Sequence, residues 1–175
     1  MEKQEQKIGG YRVSDILCCL GREKDYLHRF RRIEDKRKTF NFCSAILGPL
    51  WMAYRRMVAE AAIVSVLLCF ATSVTPIALW KYINISYDAL ELICLTVFFA
   101  VHIIVLGRLG DKMYWKRIKG IMDSCRCRER EEDSLVQEEL KGQGGCSIVM
   151  ALLCFVAEIL LNIIFQEIAL QIFWG

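Results

Sequence analysis

Residues Phe40–Met57 read FNFCSAILGPLWMAYRRM, and their reading decides the fold. Phe40, Phe42, Ile46, Leu47, Leu50, Trp51 and Tyr54 make the stretch apolar, Gly48-Pro49 interrupts it, and Arg55-Arg56 stand near its end. Rings and cations side by side suit a membrane–water interface, where both find partners. Proline has no backbone N–H and disfavours helix at the residue before it, so a break is expected at Gly48-Pro49. The expected arrangement is an interfacial helix, a kink at Pro49, and a second helix descending into a bilayer, with Arg55 and Arg56 in the headgroup zone. Two alternatives stand beside it. The stretch can be a cytosolic core segment that precedes a membrane helix, or a re-entrant hairpin or fourth crossing that turns at Gly48-Pro49.

The chain of 175 residues is 55% hydrophobic, too apolar for an ordinary soluble domain, yet 25% of it is charged. The two populations are segregated. Charges crowd into Met1–Arg56 and Arg108–Lys141, and apolar residues into Met57–Trp80, Ala89–Gly107 and Cys146–Trp174. Each apolar run has roughly 19 residues or more, enough for a bilayer core of about 30 Å at about 1.5 Å per residue. The fold class expected is all-α: an integral membrane protein with three transmembrane helices plus a cytosolic or interfacial amphipathic helical layer. Its parts are a basic helical region (1–39), the kinked aromatic segment (40–56), a helical membrane hairpin (57–107), an amphipathic loop (108–145) and a third membrane helix (146–175). Met1–Arg56 holds 13 of the 23 Lys and Arg residues, Lys81–Asp88 one, and Arg108–Lys141 nine. The positive-inside bias therefore puts the N-terminus and the second loop in the cytoplasm, and the short turn and C-terminus outside. No apolar core precedes Tyr11, so no signal peptide is expected.

Finer expectations follow from local pattern. Residues 1–13 read as disordered or loosely attached. Ser14 is placed as the N-cap of a helix Asp15–Leu20 that stops at Gly21. A helix Glu23–Lys36 carries Tyr26, Leu27, Phe30 and Ile33 on one face among basic residues, and lies either on anionic lipid or packed in a cytosolic layer. The first span shows small residues at Ala62, Ser65, Cys69, Thr72 and Pro76, a stripe that lets helices approach. Asn84-Ile85-Ser86 is formally a glycosylation triplet, a pattern common by chance. Cys125–Asp133 reads as a solvated connector, Ser134–Lys141 as a helix ended by Gly142, and Gln166–Gly175 as a polar tail that leaves the bilayer. The nine cysteines are expected to be reduced; Cys18, Cys19, Cys125 and Cys127 should react with maleimide from the cytoplasmic side.

Three motifs carry a resemblance. Tyr26 and Phe30, followed by Phe40, Asn41, Ala45, Gly48, Pro49, Trp51, Tyr54, Arg55 and Met57, are similar to an aromatic helix and the pattern F-N-W-x-A-F-x-x-G-P-x-W-x-x-Y-R-K-M. Gly110–Lys119 resembles G-N-x-x-Y-x-x-H/R-V/I-K, and Glu138-Glu139-Leu140 with Gly144-Gly145-Cys146-Ser147 resembles an acidic helix followed by Gly-Gly-Thr-Ser. In that order, over most of the chain, they resemble the small bacterial membrane proteins grouped as domain of unknown function 2628. Cys43 stands where a Trp is usual, Asp111 where Asn is usual and Cys146 where Thr is usual. The resemblance implies a helical membrane protein of unassigned function and supplies no catalytic residues.

Asn41, Gly48, Pro49, Trp51, Tyr54, Arg55, Gly110 and Tyr114 are therefore candidate functional or structural residues, and the third span adds Glu158 and Asn162. A carboxylate near the bilayer midplane costs about 2.5–3.5 kcal/mol on insertion scales, so Glu158 should face protein. Ala151, Cys154, Glu158, Asn162 and Gln166 share a face, and Ser65, Cys69, Thr96 and Asn162 are the partners expected at that depth. Glu60, Glu91 and Glu167 lie near span ends, where they can snorkel to the interface. No phosphate loop, hydrolytic triad or H-E-x-x-H occurs, and the cysteine spacings do not fit zinc, so no catalytic, cofactor or metal residue is assigned. With a net charge of +3 and membrane topology accounting for the basic residues, no nucleic-acid partner is expected. The expected function is a non-enzymatic membrane interaction or scaffold module whose partners are the lipid bilayer and either a second copy or another membrane protein. The alternative is a small oligomeric transporter or proton-coupled module using Glu158 and His102.

Overall fold

The structure, a computed structural model, describes residues 7–21, 23–83, 85–128 and 133–174, with side chains for all of these except 126–128 and 133–136. Expectations placed on Asn84, on the Cys127 side chain and on residues 1–6 fall outside that range. The described chain is mostly helical, with two paired two-residue strands, β1 (Lys7–Ile8) and β2 (Tyr11–Arg12), and short connecting loops. It continues through α1 (Val13–Cys19), α2 (Asp25–Glu34), α3 (Phe42–Leu47), α4 (Pro49–Tyr54), α5 (Val58–Trp80), α6 (Tyr87–Arg128), α7 (Asp133–Gln143) and α8 (Ile148–Trp174). Three of these, α5, α6 and α8, are long and apolar enough to cross a membrane.

Those three helices form one half of the molecule. Polar pairs join Ser65 to Glu158 and Ser73 to Asn162, and the Trp80 and Trp174 rings meet at 4.6 Å. Partners that advance together in sequence mean that α5 and α8 run parallel and pack directly on each other, with α6 against α5. The small-residue stripe of α5 makes this contact through Ser65, Cys69 and Thr72, joined by Ser73; Pro76 is buried, and at the start of the helix Ala61 is buried while Ala62 is exposed. Leu152, Ile159, Leu160 and Ile163 on the outer face of α8 are exposed. Gln166–Trp174, expected as an emergent tail, continues α8 without a break.

The other half is a compact layer built from β1–β2, α1, α2, α7 and the last part of α6. Its core is aromatic. Phe30 stacks on Trp115 at 4.5 Å, and Tyr26 and Trp51 meet the edge or face of Tyr114 at 5.2 and 5.8 Å. The apolar face of α2 is thus covered by α6, which favours the packed layer over a helix lying on lipid. Residues 7–12, expected to be loose, form a hairpin because Gly9 and Gly10 adopt positive φ and Ile8 is buried beneath α2 and α6. Helix α1 starts at Val13 with no side-chain cap, so Ser14 is inside it and not its N-cap. Helix α6 runs on through Cys125, which is buried, where a solvated connector was expected. Helix α7 extends past Gly142, and the chain then turns at Gly145, whose N–H donates to the Cys19 carbonyl at 2.8 Å. Cys18, Cys19, Cys43, Cys69, Cys94, Cys146 and Cys154 form no disulfide. Cys19 and Cys125 are buried, so they are closed to the maleimide expected to label them, and burial together with neighbouring thiols pushes the Cys19 thiol up to about 12.

Between the halves lies the broken stretch. Gly48 has φ +49° and ψ −119°, a combination that L side chains avoid, and Pro49 opens α4 at a position where a missing N–H costs nothing. The break expected at Gly48-Pro49 is present. The second half of the stretch does not descend as one helix, however: Arg56, at φ +58°, ends α4 before α5 begins at Val58. Trp51, Met52 and Ala53 are buried while Phe42, Ile46 and Leu47 are exposed, so α3 lies on the outside and α4 is packed within. A Cβ on Gly48 would stand 2.2 Å from His102 Cε1. Gly48→Ala should lower stability by about 1–3 kcal/mol, mainly through the backbone. The double change Gly48→Ala/His102→Ala should recover little of it; thermal unfolding in detergent measures both, and an unchanged midpoint for the single variant would contradict the strain.

Candidate functional site

Eight of the ten residues singled out in the sequence converge at the junction of the two halves, and three of the side chains there do most of the joining. Asn41 caps α3, its Oδ1 accepting from the Ser44 N–H at 3.0 Å. Its Nδ2 donates to Asp111 Oδ1 at 2.8 Å, and its backbone N–H donates to the Gly107 carbonyl at 2.7 Å. One residue therefore fixes the start of α3 to two consecutive turns of α6. Close approach is possible because Gly107 and Gly110 are bare: a Cβ on Gly110 would lie 2.3 Å from Ser44 Oγ. Asp111 is fully buried, and Arg29 of α2 reaches it at 3.4 Å.

Arg55 forms the second centre. Its Nη2 donates to Glu23 Oε2 at 2.7 Å and to the Tyr26 hydroxyl at 3.2 Å, and its Nη1 donates to Cys146 Sγ at 3.0 Å. The guanidinium also lies over the rings of Tyr26, Tyr114 and Tyr54, at 4.7, 5.3 and 5.5 Å. Each such contact contributes about 0.5–2 kcal/mol, more where water is excluded. Burial is the largest single influence and works against the charge, but the Glu23 bond together with Tyr114, Tyr26 and Cys146 outweighs it, so the guanidinium stays protonated with its pKa above the ordinary value. Arg55 is thus a buried hub of the layer and not a side chain reaching for headgroups. Four segments meet on it: the Glu23–Tyr26 stretch, α4, α6 and the turn into α8. The turn is also held by the Ser147 N–H, which donates to the Tyr54 carbonyl at 2.8 Å.

Glu158 and Asn162 lie apart from these, in the seam between α5 and α8. Ser65 Oγ donates to Glu158 Oε1 at 2.8 Å, Cys69 donates through sulfur to the Glu158 carbonyl, and Ser73 Oγ donates to Asn162 Oδ1 at 2.8 Å. Asn162 Nδ2 returns to the Glu158 carbonyl at 3.0 Å. Thr96, expected as a partner, instead bonds the Leu92 carbonyl of its own helix and is exposed. A cleft of about 300 Å³ opens beside the seam, lined by Glu158 and Asn162 of α8, His102 of α6 and Pro49 of α4. Its remaining lining is largely leucine and phenylalanine. Among the described residues no group of three His, Cys, Asp or Glu could hold a metal ion.

Residues 13–118 match the family described as Protein of unknown function (DUF2628). The chain belongs to this family. No curated protein and no solved structure matches it. The matched stretch of this DUF2628 protein holds both ends of the Asn41–Asp111 bond and Arg55 with Glu23, Tyr26 and Tyr114, and it ends before α7 and α8. Glu23, Arg29 and Ser44 were not singled out from sequence, and Asp111 was noted only as standing where Asn is usual. The available signal was Gly107-x-x-Gly110, two bare positions on one helix face with a carboxylate beside them.

Asp111→Asn keeps an acceptor for Asn41 and should leave stability nearly unchanged, whereas Asp111→Ala strands a buried amide donor and should cost about 1–3 kcal/mol. Denaturant unfolding of both variants checks the difference; equal loss would mean that the charge, through Arg29, matters more than the hydrogen bond.

Proposed function

We propose that this DUF2628 chain is a multi-pass protein of the bacterial cytoplasmic (inner) membrane, N-terminus in the cytoplasm, acting as a non-enzymatic interaction or scaffold module. Its partner is another membrane protein or a second copy of itself within the bilayer, and not nucleic acid. The observation that carries the reading is α6, unbroken from Tyr87 to Arg128, which couples the apolar half to the layer as one body. A layer held this way presents its outer surface, including the opening between α1 and α7 near Leu17 and Gln137, at a fixed height and angle. The Lys and Arg distribution supports the orientation, and the parallel run of α5 and α8 agrees with three crossings.

Two measurements test it together. A reporter active only outside the cell should be active when fused after Gly175 and silent after Ser134; activity after Ser134 reverses the topology. A photo-crosslinking residue in place of Leu17 or Gln137 should give a discrete product in native membranes, and none when placed at Ile159. Absence of any discrete product from the layer positions would remove the interaction reading.

The cleft with His102, Glu158 and Asn162 favours a second reading, a proton-coupled module that works as an oligomer. Glu158→Gln keeps the acceptor for Ser65 and Glu158→Leu does not. For a seam that only joins helices, Gln should be tolerated and Leu should cost about 0.6–1.7 kcal/mol, the range of interhelical hydrogen bonds in lipid. A Gln variant that folds but loses a pH-dependent uptake would favour the module.

A further inference from the structure

Where the apolar part of α6 ends, the chain leaves four cations facing one another. The cleft between α2, the 35–41 loop and α6 has a volume of about 480 Å³ and is lined by Arg32, Lys38, Thr39, Phe40, Arg108 and Lys112. Its walls are fixed by the backbone. Lys36, at φ +57°, turns the chain after α2, and the Asn41 N–H bond to the Gly107 carbonyl presses the loop onto α6. The Phe40 ring occupies the space where a Gly107 side chain would stand. Arg32 Nη2 donates to the Lys38 carbonyl at 2.9 Å, which holds its guanidinium at the rim. Arg108 and Lys112, four residues apart, project from one face of α6.

Two features of this cleft are not explained by folding. No carboxylate pairs with Arg32, Lys38, Arg108 or Lys112 among the described residues; the ion pairs of that neighbourhood join Arg29 to Asp111 and Lys119 to Glu34. Thr39 is 9% exposed, and its hydroxyl is buried with no hydrogen-bond partner. A buried hydroxyl without a partner costs free energy, and four uncompensated cations around it repel one another. A ligand carrying negative charge and several acceptor oxygens removes both penalties, and a phosphoryl group has that chemistry.

The surroundings say which phosphoryl group. Val101, Ile104 and Val105 lie seven, four and three residues before Arg108, on the same face of α6, and all are exposed. Phe40 and Phe42, in edge contact at 4.9 Å and both exposed, stand beside that face. A polar head set in the cleft thus has an apolar track running away from it along the helix. We propose that this cleft binds the phosphate of an anionic phospholipid, with its acyl chains along the Val101–Val105 face of α6. Seating the phosphate draws the four long cationic side chains inward and brings one of its oxygens to the Thr39 hydroxyl.

The inference rests on the membrane reading, and the test separates the two. Full-length protein is first reconstituted in phosphatidylcholine nanodiscs; failure to incorporate would count against the membrane reading itself. Detergent-solubilised protein is then titrated with phosphatidylglycerol, phosphatidylcholine and glycerol 3-phosphate, with bound states read by native mass spectrometry. Phosphatidylglycerol should bind about tenfold or more tightly than phosphatidylcholine, since each nearby cation contributes about a fivefold gain. Arg108→Gln/Lys112→Gln should lower that affinity by roughly ten- to thirtyfold. Lys24→Gln/Lys141→Gln, at the far side of the layer, should not change it. Thr39→Val should weaken binding by about three- to tenfold while leaving the lipid-free protein as stable as before, or more so. Equal affinity for the two lipids, or full binding by the Arg108/Lys112 double variant, overturns the proposal. Glycerol 3-phosphate binding as tightly as the lipid would overturn the acyl track.

Discussion

The rest of the structure depends on the hold that Asn41 has on α6. A short helix lying across a long one is bound weakly unless its free N-terminal donors are met, because six residues bury little surface and α3 leaves most of its apolar side chains exposed. Asn41 meets one of those donors with its own carbonyl oxygen, and with its amide and backbone N–H it joins α6. The position of α3 fixes Gly48, and Gly48 fixes the direction in which α4 leaves. That direction brings Trp51 against Tyr114 and carries Arg55 to Glu23. Only then does α5 start at the place and angle that let its small-residue face meet α8.

Two kinds of polar chemistry hold the halves, each suited to its surroundings. The layer uses a full charge, because Glu23 is partly exposed and can stay hydrated while its partner Arg55 is enclosed by aromatic rings. A pair with one member buried adds little net stability over an apolar core, but removing the partner of the buried charge is costly, and it restricts which segments can meet. The α5–α8 seam has no cation. Its carboxyl, amide, hydroxyl and thiol groups satisfy one another at close range, which is what a medium without water requires.

Much of this architecture was legible in the sequence because its causes are local or strongly periodic. Three apolar runs, a proline after a glycine, and a polar stripe on one face of α8 each have a single physical reading. The failures have a common source in long-range contact. Residues 7–12 looked loose because two-residue strands have no period, and they are ordered by α2, the Trp115 ring and the bonds of Tyr11 to Asp123 and Arg12 to Asp15. The face of α2 could be recognised but not what covers it. Arg55 looked like an interfacial cation because its acceptor, Glu23, lies 32 residues away in the loop before α2. Thr96 had the right depth for Glu158 and the wrong side of α6, a distinction that needs the helix rotation and not its position along the axis.

The continuity of α6 has a consequence for how such a chain can change. A helix of 42 residues is about 63 Å long and turns about 100° per residue. Its two ends therefore share one phase. Inserting or deleting a single residue in the apolar stretch would swing Tyr114 and Trp115 about a quarter-turn out from under Phe30, while lifting the layer by only about 1.5 Å. Three or four residues at a time would nearly restore the angle. The thickness of the hydrocarbon that this helix can match is thereby quantised in whole turns, so adaptation to a thinner or thicker bilayer must come from tilt of the whole body and not from gradual lengthening of one span.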